Sequence, residues 1–384
     1  MENILSADQQ AVMGLKHQKA ISESDYLKRS WISPLLIQGG YQQNESRLEH
    51  AQSDRTSGTA GVRIDQDIFR SGGILAAHRY ATALGRAGSG SVGLELHALV
   101  GEAYMLLFAL RRTQVQIAKQ NYLLQNARID IWRKQEQYDQ GLIDSSVLHS
   151  ALLERNAQAA GLLELEESLR QLHLAFGQLS DHHPDRVELP VLEPLEQERF
   201  LTANLPLAVA RDQLQASGHY ARMIASKYLP RLSVGASYQH YWHDESDPLS
   251  QSGAQESLSS WGLTLTIPLD IKGHHEYQSV RLESKIAARQ LDLQSQQQLL
   301  DYRQSRLRQA HLQRQMELAQ EDIDLYASLL ARTADRVRAG SQTEDDRAVM
   351  ANAKAARELD LKIYELNSQE EWLKLYLRMV DATL

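Results

Sequence analysis

At 384 residues, 42% of them hydrophobic, the chain has room for two or three ordinary domains. Its net charge of −8 offers no basic surface for nucleic acid, and the absence of cysteine excludes disulfides, thiolate metal sites and an acylated N-terminal cysteine. Tyrosine is plentiful (15) and phenylalanine scarce (4), so aromatics are expected where apolar and wet surroundings meet, not in a large dry core.

Residues 6–28 read as a helix of good formers, and Pro34 marks the switch to extended chain. Side chains then alternate: Leu35, Ile37, Gly39 and Tyr41 oppose Leu36, Gln38, Gly40 and Gln42. A second strand is expected at 58–69, with 44–61 read as a polar exposed loop. From Gly73 to Gln140 there is no proline, and a seven-residue step runs through Ala103, Leu110, Ile117, Leu124 and Ile131. This predicts a coiled-coil helix on the order of 100 Å long. Gly85, Gly88, Gly90 and Gly93 depart from that pattern and point to a bend or a close helix–helix approach. Gly141 ends the helix, and a new one is expected over 145–179. Residues 180–204 form a linker with room for a small accessory element.

The whole pattern then returns. Tyr228-Leu-Pro-Arg-Leu-Ser-Val-Gly-Ala-Ser-Tyr-Gln239 echoes Trp31-Ile-Ser-Pro-Leu-Leu-Ile-Gln-Gly-Gly-Tyr-Gln42 at an offset of 197 residues, and Gly340 echoes Gly141 at 199. Two tandem copies of one unit follow: 1–179 and 205–384, each a helix, a strand pair and a long helical hairpin. In the second copy Leu232, Val234, Ala236 and Tyr238 oppose Arg231, Ser233, Gly235 and Ser237. On the partner strand Trp261, Leu263, Leu265, Ile267 and Leu269 oppose Gly262, Thr264 and Thr266. Strand pairs are expected at 31–42 with 58–69 and at 228–242 with 259–269; residues 243–259 read as a second polar loop. One apolar and one small, polar face suits a barrel with lipid outside and water inside. A half-buried soluble sheet alternates in the same way. The longest apolar run, Ala103–Leu110, is too short to span a bilayer, so strands are expected to make any crossing.

The adjacent pairs His182-His183 and His274-His275 read as solvated surface residues, because neighbouring side chains diverge. No catalytic signature is present, which points to a non-enzyme without cofactor or metal. After Gly340 come Ser341 and three acids, Glu344, Asp345 and Asp346; Ser341 with Glu344 fits a capping box, and acids in a first helical turn favour the helix dipole. Capping alone accounts for them. The first tip, with Asp144 as its one acid, shows that the turn does not require the extra charge.

Taken together, Tyr228-Leu-Pro-Arg-Leu-Ser-Val-Gly-Ala-Ser-Tyr, the corners Asp67-Ile-Phe-Arg-Ser-Gly-Gly73 and Ile267-Pro-Leu-Asp270, Ala103-Tyr104 and Val337-Arg-Ala-Gly340 resemble the outer-membrane efflux protein family, the TolC-like outer membrane factors. The resemblance covers nearly the whole chain and implies a mainly α protein with β. In that fold a homotrimer builds one twelve-stranded barrel, four strands per chain, continued by a helical coiled-coil barrel. It implies a passive export duct working with a periplasmic adaptor (membrane fusion protein) and an inner-membrane pump, in efflux or type I secretion. It places Leu232, Val234, Tyr238, Trp261, Leu263, Leu265 and Ile267 against outer-membrane lipid, and Tyr41, Tyr238, Tyr241, Trp242 and Trp261 in an interfacial girdle. It puts Gly141, Leu142, Asp144, Gly340 and Ser341 at adaptor-contacting tips and Glu344, Asp345 and Asp346 at the periplasmic gate, since the family carries an acid six places after this glycine. The expected location is the outer membrane, reaching into the periplasm, with a signal peptide already removed. A periplasmic coiled-coil adaptor or interaction protein is the alternative; one hairpin with a lipoyl-like module would mark it.

Overall fold

The computed structural model describes residues 4–48, 51–245 and 254–380. Its elements run α1 (Ala7–Arg29), β1 (Leu36–Leu48), β2 (Ala51–Phe69), α2 (Gly73–Asp139), α3 (Ser145–Leu179), α4 (Gln197–Thr202), α5 (Leu205–Lys227), β3 (Arg231–Glu245), β4 (Ala254–Thr266), α6 (Gly273–Arg338) and α7 (Glu344–Tyr376). The succession helix, strand, strand, long helix, helix occurs twice. Two compact units form, and both mix the two halves of the sequence: one holds His17–Gly90 with Ala208–Leu293, the other the first residues with Ser91–Leu207 and the chain from Gln294 onward.

The first unit carries the sheet. Its four strands form an antiparallel meander in the order β1-β2-β3-β4. Residues 44–48 and 51–61, and 243–245 and 254–259, continue the strands where polar loops are expected. Residues 49–50 and 246–253 lie outside the described residues. Composition misleads here because cross-strand hydrogen bonding needs no apolar side chains; the ladder extends to Leu48↔Ala51 and His243↔Ala254. Beside the sheet, α1 and α5 approach α2 closely where it is glycine-rich. A Cβ at Gly85 would sit 2.3 Å from Ser24 Oγ, and one at Gly90 2.6 Å from Val209 Cγ2. Ser24 Oγ donates to the Ala81 carbonyl at 3.1 Å. The glycines therefore serve contact, and α2 stays one unbroken helix of 67 residues.

The second unit holds the helical hairpins and the apolar cores. Ile4 and Leu5 join Val100, Ala103, Leu107, Leu110 and Phe176 in one cluster. A larger one gathers Phe108, Leu192, Leu195, Phe200, Tyr302, Trp372, Leu373, Tyr376 and Met379. The linker is thus part of the core: a single turn of 3₁₀ helix at Pro184–Arg186, then α4, seat Leu192, Leu195 and Phe200 against α2, α6 and α7. Tyr302 Oη donates to the Leu195 carbonyl at 2.8 Å, and Asn204 bridges Met379. By length and composition α2 is also apolar enough to cross a bilayer, which its short uninterrupted runs do not reveal. Val100, Ala103, Leu107 and Leu110 of this helix are buried in the core, as they would be in any packed bundle.

Candidate functional site

Two regions collect the residues singled out in the sequence, one in each unit. In the sheet, the pairings Leu232↔Leu265, Val234↔Leu263, Ala236↔Trp261 and Tyr238↔Ser259 set the apolar positions side by side. Across the other ladder Tyr238 meets Val62 and Ala236 meets Ile64, and Val62 in turn meets Ile37. Because side chains alternate with a period of two, these residues share one face. That face is bare. Trp261 is 87% exposed and Leu263 66%, Leu265 and Tyr238 are also exposed, and Leu232 and Val234 are half-buried between neighbours. Ile267, exposed as well, lies past the end of β4 at Thr266 and not on the paired sheet. Burying such a face is worth roughly 25 cal/mol per Å², so leaving it in water is costly.

The opposite face is polar. It carries Gln38, Gln42, Ser233, Ser237, Gln239 and Thr264, with an Arg63–Asp65 ion pair at 2.5 Å and a Ser237–Ser260 hydrogen bond at 2.8 Å. Tyr241 belongs here, which corrects its expected place in the aromatic girdle. It pairs with Thr59 and Glu256, one residue out of step with Tyr238 and Trp242, and its hydroxyl donates to Gln239. Tyr41 and Trp242 both pair with Gly58 and stay on the apolar face.

In the second unit both helical tips are built alike. Gly141 and Gly340 adopt φ of 75° and 71°, a region open to glycine without strain. At the first, the amides of Gly141 and Leu142 bond the carbonyls of Tyr138 and Gln137; at the second, those of Gly340 and Ser341 bond Val337 and Arg336. Both are Schellman closures, which satisfy the last carbonyls of α2 and α6. Leu142, Ser341 and Asp144 are exposed.

The helix starts differ. Asp144 caps α3: its Oδ1 accepts from Ser146 N at 3.0 Å and Ser145 Oγ at 3.1 Å, and the Ser146 amide holds its carboxyl below the usual range. At α7 the capping box is Thr343 with Asp346, replacing the expected Ser341 with Glu344. The helix begins at Glu344, so Ser341 is still closing α6, its Oγ donating to the Arg336 carbonyl at 3.1 Å. Asp346 N donates to Thr343 Oγ1 at 3.3 Å and Thr343 N to Asp346 Oδ2 at 3.0 Å. Arg133 of α2 pairs with Asp346 at 2.8 Å. The Thr343 amide, with help from Arg133, lowers the Asp346 carboxyl. Glu344 pairs with Arg347 at 2.9 Å. Among the described residues Asp345 alone of the three acids has no partner, so it is the one whose charge is uncompensated.

Among the described residues no group of three or more His, Asp or Glu could hold a metal ion.

No family model and no curated protein matches the sequence. Solved structures match over almost its full length. The outer membrane protein VceC of Vibrio cholerae aligns with a TM-score of 0.72 at 16% identity, covering 95% of this chain and 92% of that one. The CmeC outer membrane channel of Campylobacter jejuni gives 0.73 at 14%, covering 97% and 83%. The open state of the Neisseria gonorrhoeae MtrE outer membrane channel gives 0.68 at 12%, covering 96% and 85%. With a single four-stranded antiparallel sheet on a long-helix scaffold, the chain has the fold of the TolC-like outer membrane channels.

Proposed function

We propose that this chain is one subunit of a passive trimeric export duct in the outer membrane. The observation that carries the proposal is the sheet, which has one exposed apolar face, one polar face and two free edges. β1 and β4 each pair on one side only. Four strands cannot close a barrel, and a sheet in lipid must close because unpaired backbone groups cost several kcal/mol each. Pairing β4 of one copy with β1 of the next removes every edge, and three copies give twelve strands. A second feature supports self-association. Ile286, Leu293, Leu300 and Leu307 of α6 recur every seven residues and are all exposed, a stripe that calls for a partner helix.

In this reading Leu232, Val234, Tyr238, Trp261, Leu263, Leu265 and Ile267 face lipid, and the polar face lines the water-filled path. The tips at Gly141, Leu142, Asp144, Gly340 and Ser341 receive the hairpins of a periplasmic adaptor, and an inner-membrane pump supplies the energy. Asp345 lines the entrance, where three copies would repel one another and attract cations. Asp346 and Glu344 hold the second hairpin's shape through Thr343, Arg133 and Arg347. The adaptor alternative lacks a use for an exposed apolar sheet with free edges.

The test is whether the protein stays with outer membranes after a carbonate wash, migrates as a heat-modifiable trimer, and conducts in planar bilayers. A monomer released by the wash would overturn the proposal.

A further inference from the structure

At the junction of sheet and helices in the first unit, a cavity of about 260 Å³ lies between the ends of α1 and α5 and the starts of α2 and β3. Its apolar wall is made by Trp31, Ile74 and Met223, and its cationic wall by Arg70, Lys227 and Arg231. Two of these cations are neutralised within the chain. Arg70 pairs with Asp67 at 2.5 Å, and Lys227 with Glu276 at 3.1 Å. Arg231 is exposed and, among the described residues, has no partner, so the wall carries one uncompensated positive charge.

The duct needs no such site. Closing the corner between strand and helix asks for small residues and apolar packing, and an unpaired guanidinium contributes to neither. An arginine fork suits a phosphate or comparable oxyanion in two-point contact, while the indole and aliphatic wall would reject a bare hydrated ion in favour of a guest with an apolar body. The volume sits at the small end of ligand sites, which limits that body to a short chain. Register decides the direction of approach. Arg231 pairs with Thr266, so it stands in phase with Ser233, Gly235 and Ser237 on the polar face of the sheet.

We propose that this cavity binds the oxyanion head of a small anionic amphiphile, of the alkyl phosphate class, arriving from the polar side of the sheet. The guest is then a passenger of the water-filled path. Only this route rests on the duct reading; the binding itself does not. The shared chemistry, an oxyanion on an apolar tail, could also be supplied by an anionic lipid of the bilayer.

The experiment uses the full chain in phosphatidylcholine nanodiscs, titrated calorimetrically with hexyl phosphate, hexanol and inorganic phosphate. Hexyl phosphate is expected to bind at least tenfold more tightly than either comparator. Arg231→Gln should weaken it about tenfold or more, the loss of one hydrogen-bonded charge contact. Arg231→Gln with Lys227→Gln should weaken it further. Binding that Arg231→Gln leaves unchanged overturns the proposal, as does inorganic phosphate binding equally well. If discs containing phosphatidylglycerol abolish hexyl phosphate binding, the guest is a bilayer lipid and the polar-side route is wrong. Conductance of the same preparations separates the two readings: a conducting wild type that ignores hexyl phosphate sinks only this inference, and a non-conducting one counts against the duct.

Discussion

Replacing Leu263 by Arg tests the lipid-facing assignment where it is most exposed to failure. Leu263 lies four residues from Ser259, where the apolar face of β4 turns to serine, and four from Ile267, the first apolar residue past the strand's end at Thr266. At about 3.3 Å per residue and a tilt of about 40°, each limit is roughly 10 Å away in depth. Leu263 is therefore near the middle of the band. An arginine there costs roughly 2–4 kcal/mol in a barrel wall, on the order of a 30- to 1,000-fold shift in the assembly equilibrium. The neighbouring Thr264 pairs with Ser233 on the polar face, and Thr264→Arg should be tolerated because its charge stays in water. The assay is the fraction of heat-modifiable trimer in carbonate-washed outer membranes. Loss in Leu263→Arg with near wild-type yield in Thr264→Arg supports the assignment. Equal yields in the two variants would refute it, because a soluble half-buried sheet has no reason to follow bilayer depth.

Four further outcomes follow from particular contacts. Asp345→Ala should lower cation selectivity and multivalent-cation block in planar bilayers, with Asp144→Ala doing much less; reversal potentials in a salt gradient decide it. Asp346→Asn should destabilise by about 0.3–1 kcal/mol at pH 7 through the lost ion pair with Arg133 and the lost negative charge at the start of α7, since the amide oxygen can still accept from Thr343 N. Because the folded carboxyl titrates below its usual value, that contribution is present above the unfolded pKa and lost as pH falls through the folded one. Melting curves of wild type and variant should thus converge in acid. Gly85→Leu should cost roughly 1–3 kcal/mol by driving into Ser24, whereas Gly88→Ala, whose nearest neighbour is Ala20 Cβ at 3.6 Å, should be neutral or stabilising in thermal denaturation. Phe200→Ala, fully buried beside Tyr302, should cost roughly 3–5 kcal/mol by the same measure.

Local rules made much of this protein readable in one dimension. Proline-free stretches ending at Gly141 and Gly340 mark long helices and their tips, because only a left-handed residue closes those carbonyls cheaply. Alternation from Leu232 to Tyr238 marks a two-faced strand, because the pleat has a period of two. What alternation could not show is whether the apolar face is covered; that depends on other elements, and the structure leaves Trp261 and Leu263 bare. Strand ends were hidden for a related reason, since backbone pairing continues past the point where side chains turn polar. The cap at Thr343 and Asp346 was displaced by two residues from the apparent Ser341 motif, because where α7 begins depends on how α6 finishes. Long-range partners were out of reach altogether. Leu192, Leu195 and Phe200 sit in a segment without periodicity, and only folding against Tyr302 and Trp372 makes them core. Likewise Arg133 binds Asp346 across more than half the chain, and Arg231 stands unpaired while Asp67 and Glu276 take up its cationic neighbours. Sequence alone thus determined where the long helices run and turn and how the alternating residues of each strand core face, for these depend on nearest neighbours; the tertiary structure decided where strands end, which charges are cancelled and which faces are covered, for these depend on residues far apart in the chain.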